Sequence, residues 1–130
     1  MSTLPTGVER PSLYDRLNGY DTVAAIVRSL FMRMKVDARF ARFGEGRSAD
    51  SQQATEQLTV LYVCWLAGGP CYYFGRDMTS AHRGLNITQD EWIASMDHTR
   101  AALQENAIPE QEQLEFLALF ERYRREIVEA

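Results

Sequence analysis

Apolar residues recur at spacings of three and four along most of this chain. From near Asp21, Val23, Ile26, Val27, Leu30, Phe31 and Met34 fall on one face of a predicted helix that fades near Asp37. Ahead of it, Ser12 with Asp15 three residues on opens a short helix, which Asn18-Gly19 ends. Phe40 and Phe43 follow in a turn-like stretch, and Gly44-Glu45-Gly46 reads as a loop. In residues 51–67, Leu58, Leu61, Tyr62 and Trp65 fit a helix face. The run Leu58 to Trp65 is also rich in strand formers. The polar lead-in Gln52 to Gln57 favours helix, because it makes the segment too long for a typical strand. Gly68-Gly69-Pro70 stops it.

The C-terminal half carries stronger local signals. Gly84 and Asn86 make a turn. Thr88 and Glu91 form a capping box, and Ile87 with Trp92 stand at the two positions of a hydrophobic staple. Trp92, Met96, Thr99 and Leu103 continue one face. Pro109 is placed as the first residue of a last helix, whose apolar side holds Phe116, Leu117, Phe120, Tyr123, Ile127 and Val128. The pattern predicts an all-α domain over residues 12–130, after a loose leader at 1–11.

The 130 residues suit one domain, and 45% hydrophobic content gives it a core. A net charge of −4 excludes a nucleic-acid partner as the natural expectation. No signal-like run precedes the domain, and the apolar run Leu58 to Ala67 is too short to span a bilayer. A cytoplasmic, membrane-free protein is expected. Cys64 and Cys71 form no CxxC pair, and reduced thiols are the simplest expectation.

Of two histidines, His98 lies within a helix between Asp97 and Thr99 and reads as a partly exposed polar residue. His82 ends a short helix-compatible run and is followed at once by a turn. One histidine cannot build a zinc site, which takes three or four protein ligands. It can hold a metal that already carries four other ligands, of which haem iron is the common case.

The residues match a family pattern. Ser12-Leu13-Tyr14-Asp15-Arg16-Leu17 resembles the opening motif of the truncated haemoglobins, most closely their first group. Gly68-Gly69-Pro70 resembles the turn after their distal helix. Gly75-Arg76-Asp77-Met78 with Ala81-His82 resembles the motif that carries the proximal haem ligand, and Gly84 to Thr88 the connection that follows. The resemblance spans about residues 12 to 128, and the order and spacing of the motifs make it specific.

The resemblance implies a truncated globin, two helices packed over two with haem b (iron protoporphyrin IX) between them. It implies that His82 is the axial iron ligand and that dioxygen, nitric oxide or carbon monoxide takes the sixth position. Thr55, Leu58 and Thr59 fall on the distal helix where relatives often carry glutamine or histidine. Phe31 falls where first-group relatives usually carry a ligand-binding tyrosine, and phenylalanine cannot donate a hydrogen bond. Losing that bond is worth about 1–3 kcal/mol. The hydroxyls of Thr55 and Thr59 are expected to compensate in part, while Tyr62 is expected to pack in the core. Phe43, with Phe40 as the alternative, resembles the aromatic that packs on the porphyrin. Met78, Ile87, Trp92 and Met96 are candidates for the haem-cavity lining, and Arg76 and Arg83 for the propionates. Residues 1–81 contain no histidine, so open or water-bound iron is expected unless a methionine, cysteine or tyrosine coordinates.

Three functions follow as alternatives. One is reversible gas binding. Another is a nitric oxide dioxygenase-type enzyme that needs an external electron-donating reductase. The third is a haem-free helical interaction module, which the retention of His82 argues against.

Overall fold

A computed structural model describes residues 11–129. The expected leader therefore lies outside the described residues, except for Pro11. Eight α-helices run in the order α1 (Leu13–Arg16), α2 (Tyr20–Lys35), α3 (Ala41–Gly44), α4 (Ala49–Leu66), α5 (Met78–His82), α6 (Gln89–Glu105), α7 (Glu110–Glu121) and α8 (Arg124–Ile127). A 3-10 turn, Ala38–Phe40, precedes α3. No strand occurs among the described residues. The helix reading of residues 51–67 holds, and its start is set by Ser48, whose side chain accepts from the amide of Ser51.

Helix α2 packs on both α4 and α6, and α6 packs on α7. This is the two-over-two arrangement, α2 and α4 against α6 and α7. The apolar faces read from the sequence become the seam. Val23, Ile26 and Val27 of α2 meet Val63 of α4, Leu103 of α6 and Phe116 of α7 in one buried cluster. Each such side chain contributes about 1.5–3 kcal/mol on burial. No helix among the described residues is long and apolar enough to cross a membrane.

The turn after α4 draws three elements together. Gly68 is left-handed (φ 89°). Its amide donates to the carbonyl of Trp65, and the amide of Gly69 donates to that of Cys64. This pair of bonds closes the helix in a Schellman motif. A Cβ on Gly69 would stand 2.5 Å from Tyr14 Cδ1 and 2.7 Å from Cys64 Sγ, so only glycine fits there. The amide of Tyr14 donates to the carbonyl of Ala67 and fastens α1 to the end of α4.

Three expectations need correction. Cys64 and Cys71 are not free thiols but a disulfide. The glycine turn folds the chain back and brings their Cα atoms to 5.9 Å, within bridging range. Pro109 caps α7 rather than starting it, with an extended backbone at ψ 150°. The last helix also breaks at Arg122–Tyr123, and the short α8 turns back to pack on α5.

Candidate functional site

Helix α5 is five residues long, too short to hold itself together in water. Its ends are fixed from outside. The carboxylate of Asp77 caps it by accepting from the amide of Ser80 at 2.7 Å, and this bond holds the Asp77 carboxyl below its ordinary range. Ahead of the cap, the hydroxyl of Tyr73 donates to the carbonyl of Arg76 at 2.6 Å.

His82 ends this helix and is half-buried. Its Nδ1 lies 2.8 Å from the carbonyl oxygen of Met78, one turn back. A carbonyl only accepts, so Nδ1 carries the proton. In the neutral ring, Nε2 then presents a lone pair, and it has no partner among the described residues. This is the arrangement a metal-binding imidazole takes, one ring nitrogen anchored to a carbonyl and the other available. Among the described residues, no three His, Cys, Asp or Glu side chains converge as a multi-ligand metal site.

The other predicted residues fall into two groups. Phe31 on α2 and Met96 on α6 are partly buried and pack against the core cluster. Trp92 is buried on α6, and its indole Nε1 has no protein acceptor. Phe43 is half-buried, 6.1 Å from the buried ring of Phe40, and the Arg42 guanidinium lies 4.0 Å above it. Ile87 is half-buried in the connection after α5. Arg76 is exposed and donates weakly to the carbonyl of Ser80 at 3.4 Å, and Arg83 is exposed.

On α4, Thr55, Leu58, Thr59 and Tyr62 share a helix face by their spacing. Leu58 is the edge of that face and is 43% exposed. The Thr55 hydroxyl donates to the carbonyl of Ser51, and the Thr59 hydroxyl to that of Thr55 at 2.8 Å. Both protons are therefore spent on the helix backbone, a common habit of threonine within helices. Tyr62 packs in the core as expected, its ring 4.8 Å from that of Tyr73 and 6.2 Å from that of Tyr123. Burial first, then its bond to Tyr123, pushes the Tyr62 phenol well above its usual range.

Several residues that sequence reasoning missed surround the site. Arg47 donates to the hydroxyl of Thr55, in the first half of α4. Arg42 forks onto Glu91, Nε to Oε2 at 3.0 Å and Nη2 to Oε1 at 2.7 Å. That guanidinium is the main reason the Glu91 carboxyl is lowered to about 2. Glu91 also completes the capping box with Thr88, as read from the sequence. His98 pairs through Nε2 with Asp37 at 2.7 Å. A surface depression lined by Leu13, Arg16, Glu115 and Leu119 shares no residue with this set.

The profile of the family described as bacterial-like globin matches residues 12–129. The chain belongs to that family. Membership makes it a haem-binding globin. A group 1 truncated haemoglobin from Tetrahymena pyriformis is 28% identical to this globin over 119 residues, 90% of this chain and 94% of the relative. The group 1 truncated haemoglobin GlbN of Mycolicibacterium paratuberculosis is 26% identical over 109 residues, 84% of this chain and 78% of the relative. Among solved structures, the Fe(III) form of the Tetrahymena pyriformis protein superposes with a TM-score of 0.84 at 22% identity, covering 92% of this globin and 100% of that chain. The 2/2 haemoglobin from Synechococcus, in its cyanomet state with covalently attached haem, gives 0.82 at 21% identity, covering 91% and 98%. At these identities the structural likenesses speak for the fold, a truncated two-on-two globin.

Proposed function

We propose that this globin binds dioxygen and other diatomic gases, nitric oxide and carbon monoxide among them, at haem b held by His82. The observation that carries the reading is the His82 imidazole, anchored through Nδ1 to Met78 with Nε2 left available. When bound, haem supplies the iron at which a gas coordinates. The chain supplies the rest. Phe43, Met78, Ile87, Trp92 and Met96 offer apolar and aromatic surface to a porphyrin. The buried indole Nε1 of Trp92, without a protein acceptor, is a donor open to a group from outside the chain. Arg76 and Arg83 flank the proximal helix with positive charge suited to propionates.

On the opposite side, Phe31 offers no donor and the threonine protons point into their own helix. This face offers a ligand no uncommitted hydrogen-bond donor from Phe31, Thr55 or Thr59. The reading therefore predicts fast release of dioxygen rather than storage.

The test is the ferrous spectrum of the purified globin with and without His82. His82→Ala is expected to lose the five-coordinate spectrum, and added imidazole to restore it. A His82→Ala protein that keeps a normal five-coordinate ferrous spectrum overturns the reading. Mixing the oxygenated protein with nitric oxide then separates simple gas binding from turnover to nitrate.

A further inference from the structure

The loop that leaves His82 is gripped from two sides by residues distant in sequence. Arg42, on α3, donates Nη1 to the carbonyl of Leu85 at 2.7 Å and Nη2 to that of Asn86 at 3.2 Å. The carboxylate of Glu129 accepts from the amides of Gly84 at 3.1 Å and Asn86 at 2.9 Å. The Glu129 amide adds a bond to the carbonyl of Ile87 at 2.9 Å. A cation thus holds the carbonyls and an anion holds the amides of one short stretch. Gly84 and Asn86 both adopt left-handed backbone (φ 84° and 52°), which exposes these groups to side-chain partners.

The same guanidinium lies over the ring of Phe43 and forks onto Glu91 at the start of α6. It therefore ties the aromatic offered to the porphyrin, the loop after the proximal histidine and the next helix into one unit. Helix α5 needs such help. It is a single short turn, and its last residue is the histidine itself.

We infer that Arg42 and Glu129 are positioning residues for the iron ligand, fixing His82 by clamping the loop that follows it. The inference rests on the reading of His82 as that ligand. Neither residue bonds to His82 itself; both act through the backbone of residues 84–86. Both are exposed at the surface, outside the buried core cluster. Their effect falls on where the proximal ring stands.

The experiment uses the haem-loaded protein carrying Arg42→Met or Glu129→Gln, singly and together. Three properties are read: the rate of haem transfer to an apoglobin acceptor, the iron–histidine stretching band of the ferrous five-coordinate form, and helix content by circular dichroism. Each single variant is expected to lose haem tenfold or more faster and to shift or broaden the band, with helix content kept. Arg42→Lys, which cannot fork, is expected not to rescue the band. The double variant should fall short of the product of the single effects, since both act on one loop. Unchanged transfer rate and band in both single variants overturn the inference. So does a loss of helix content with an unshifted band, which makes the two residues fold stabilisers only. Failure of the ligand reading shows separately, as a His82→Ala protein that keeps its five-coordinate spectrum.

Discussion

Thr59 donates its hydroxyl proton to the carbonyl of Thr55 at 2.8 Å, one turn earlier on α4. Thr55 does the same toward Ser51. Two residues that look like hydrogen-bond donors to a bound gas are thereby turned into parts of their own helix. Phe31, on α2, has nothing to donate.

Phe31→Tyr should therefore slow dioxygen release. A new hydrogen bond to the partly charged ligand is worth about 1–3 kcal/mol, roughly a fivefold to more than a hundredfold change in rate. Thr59→Val should alter the rate by less than about twofold, because the proton it removes is already committed. Stopped-flow release measured on both variants checks this. An unchanged rate in Phe31→Tyr places that side chain away from the ligand, and a large effect in Thr59→Val shows that its hydroxyl rotates inward.

The bridge between Cys64 and Cys71 closes a short loop, with a sequence separation of 7. Chain-entropy arguments give a loop of this size about 2–3 kcal/mol of stabilisation. Cys71→Ser should lower the urea midpoint accordingly, and the native protein treated with a dithiol reductant should fall to the same value. Identical midpoints with and without reductant contradict a bridge in solution.

Acid should weaken the Arg42–Glu91 pair within a defined window. The Glu91 carboxyl is lowered from 4.5 to about 2, first by its hydrogen bonds from Arg42. Between those values the unfolded chain holds more protons on this group than the folded one, so protons favour unfolding. The contribution is complete above about 4.5 and is lost as pH falls through about 2. Glu91→Gln should be less stable than the native protein at neutral pH, and the gap should close through that window. Thermal melts of both proteins at a series of pH values decide it; a gap that stays constant shows that the charge is not the cause.

The parts of the fold that depend on neighbouring residues were legible in the sequence. Val23, Ile26 and Val27 repeat at helical spacing, and all three are buried. The Thr88–Glu91 capping box is a local exchange of hydrogen bonds, and it formed complete. His82 is legible because its helix-compatible run and the turn after it are contiguous, whereas the Asp77 cap is seen only in the structure. What stayed hidden depends on the path of the chain. Asp37 finds His98 across 61 residues, and Arg42 finds Leu85 across 43. The Cys64–Cys71 bridge follows from how the glycine turn aims the backbone. The break at Arg122–Tyr123 leaves no mark, since Phe116, Phe120, Tyr123 and Ile127 keep their period straight through it. The threonine hydroxyls illustrate a last limit: sequence gives the donor but not the acceptor it chooses.

The bonds from Gly84 and Asn86 to Glu129 span 45 and 43 residues and reach past α8. During synthesis, the histidine loop is made long before its carboxylate partner. A nascent chain that has finished α6 already carries His82 and the Arg42 side of the clamp, but not yet the Glu129 side. The two-sided clamp on this loop is in this sense a late event, completed once α8 has emerged and folded back on α5.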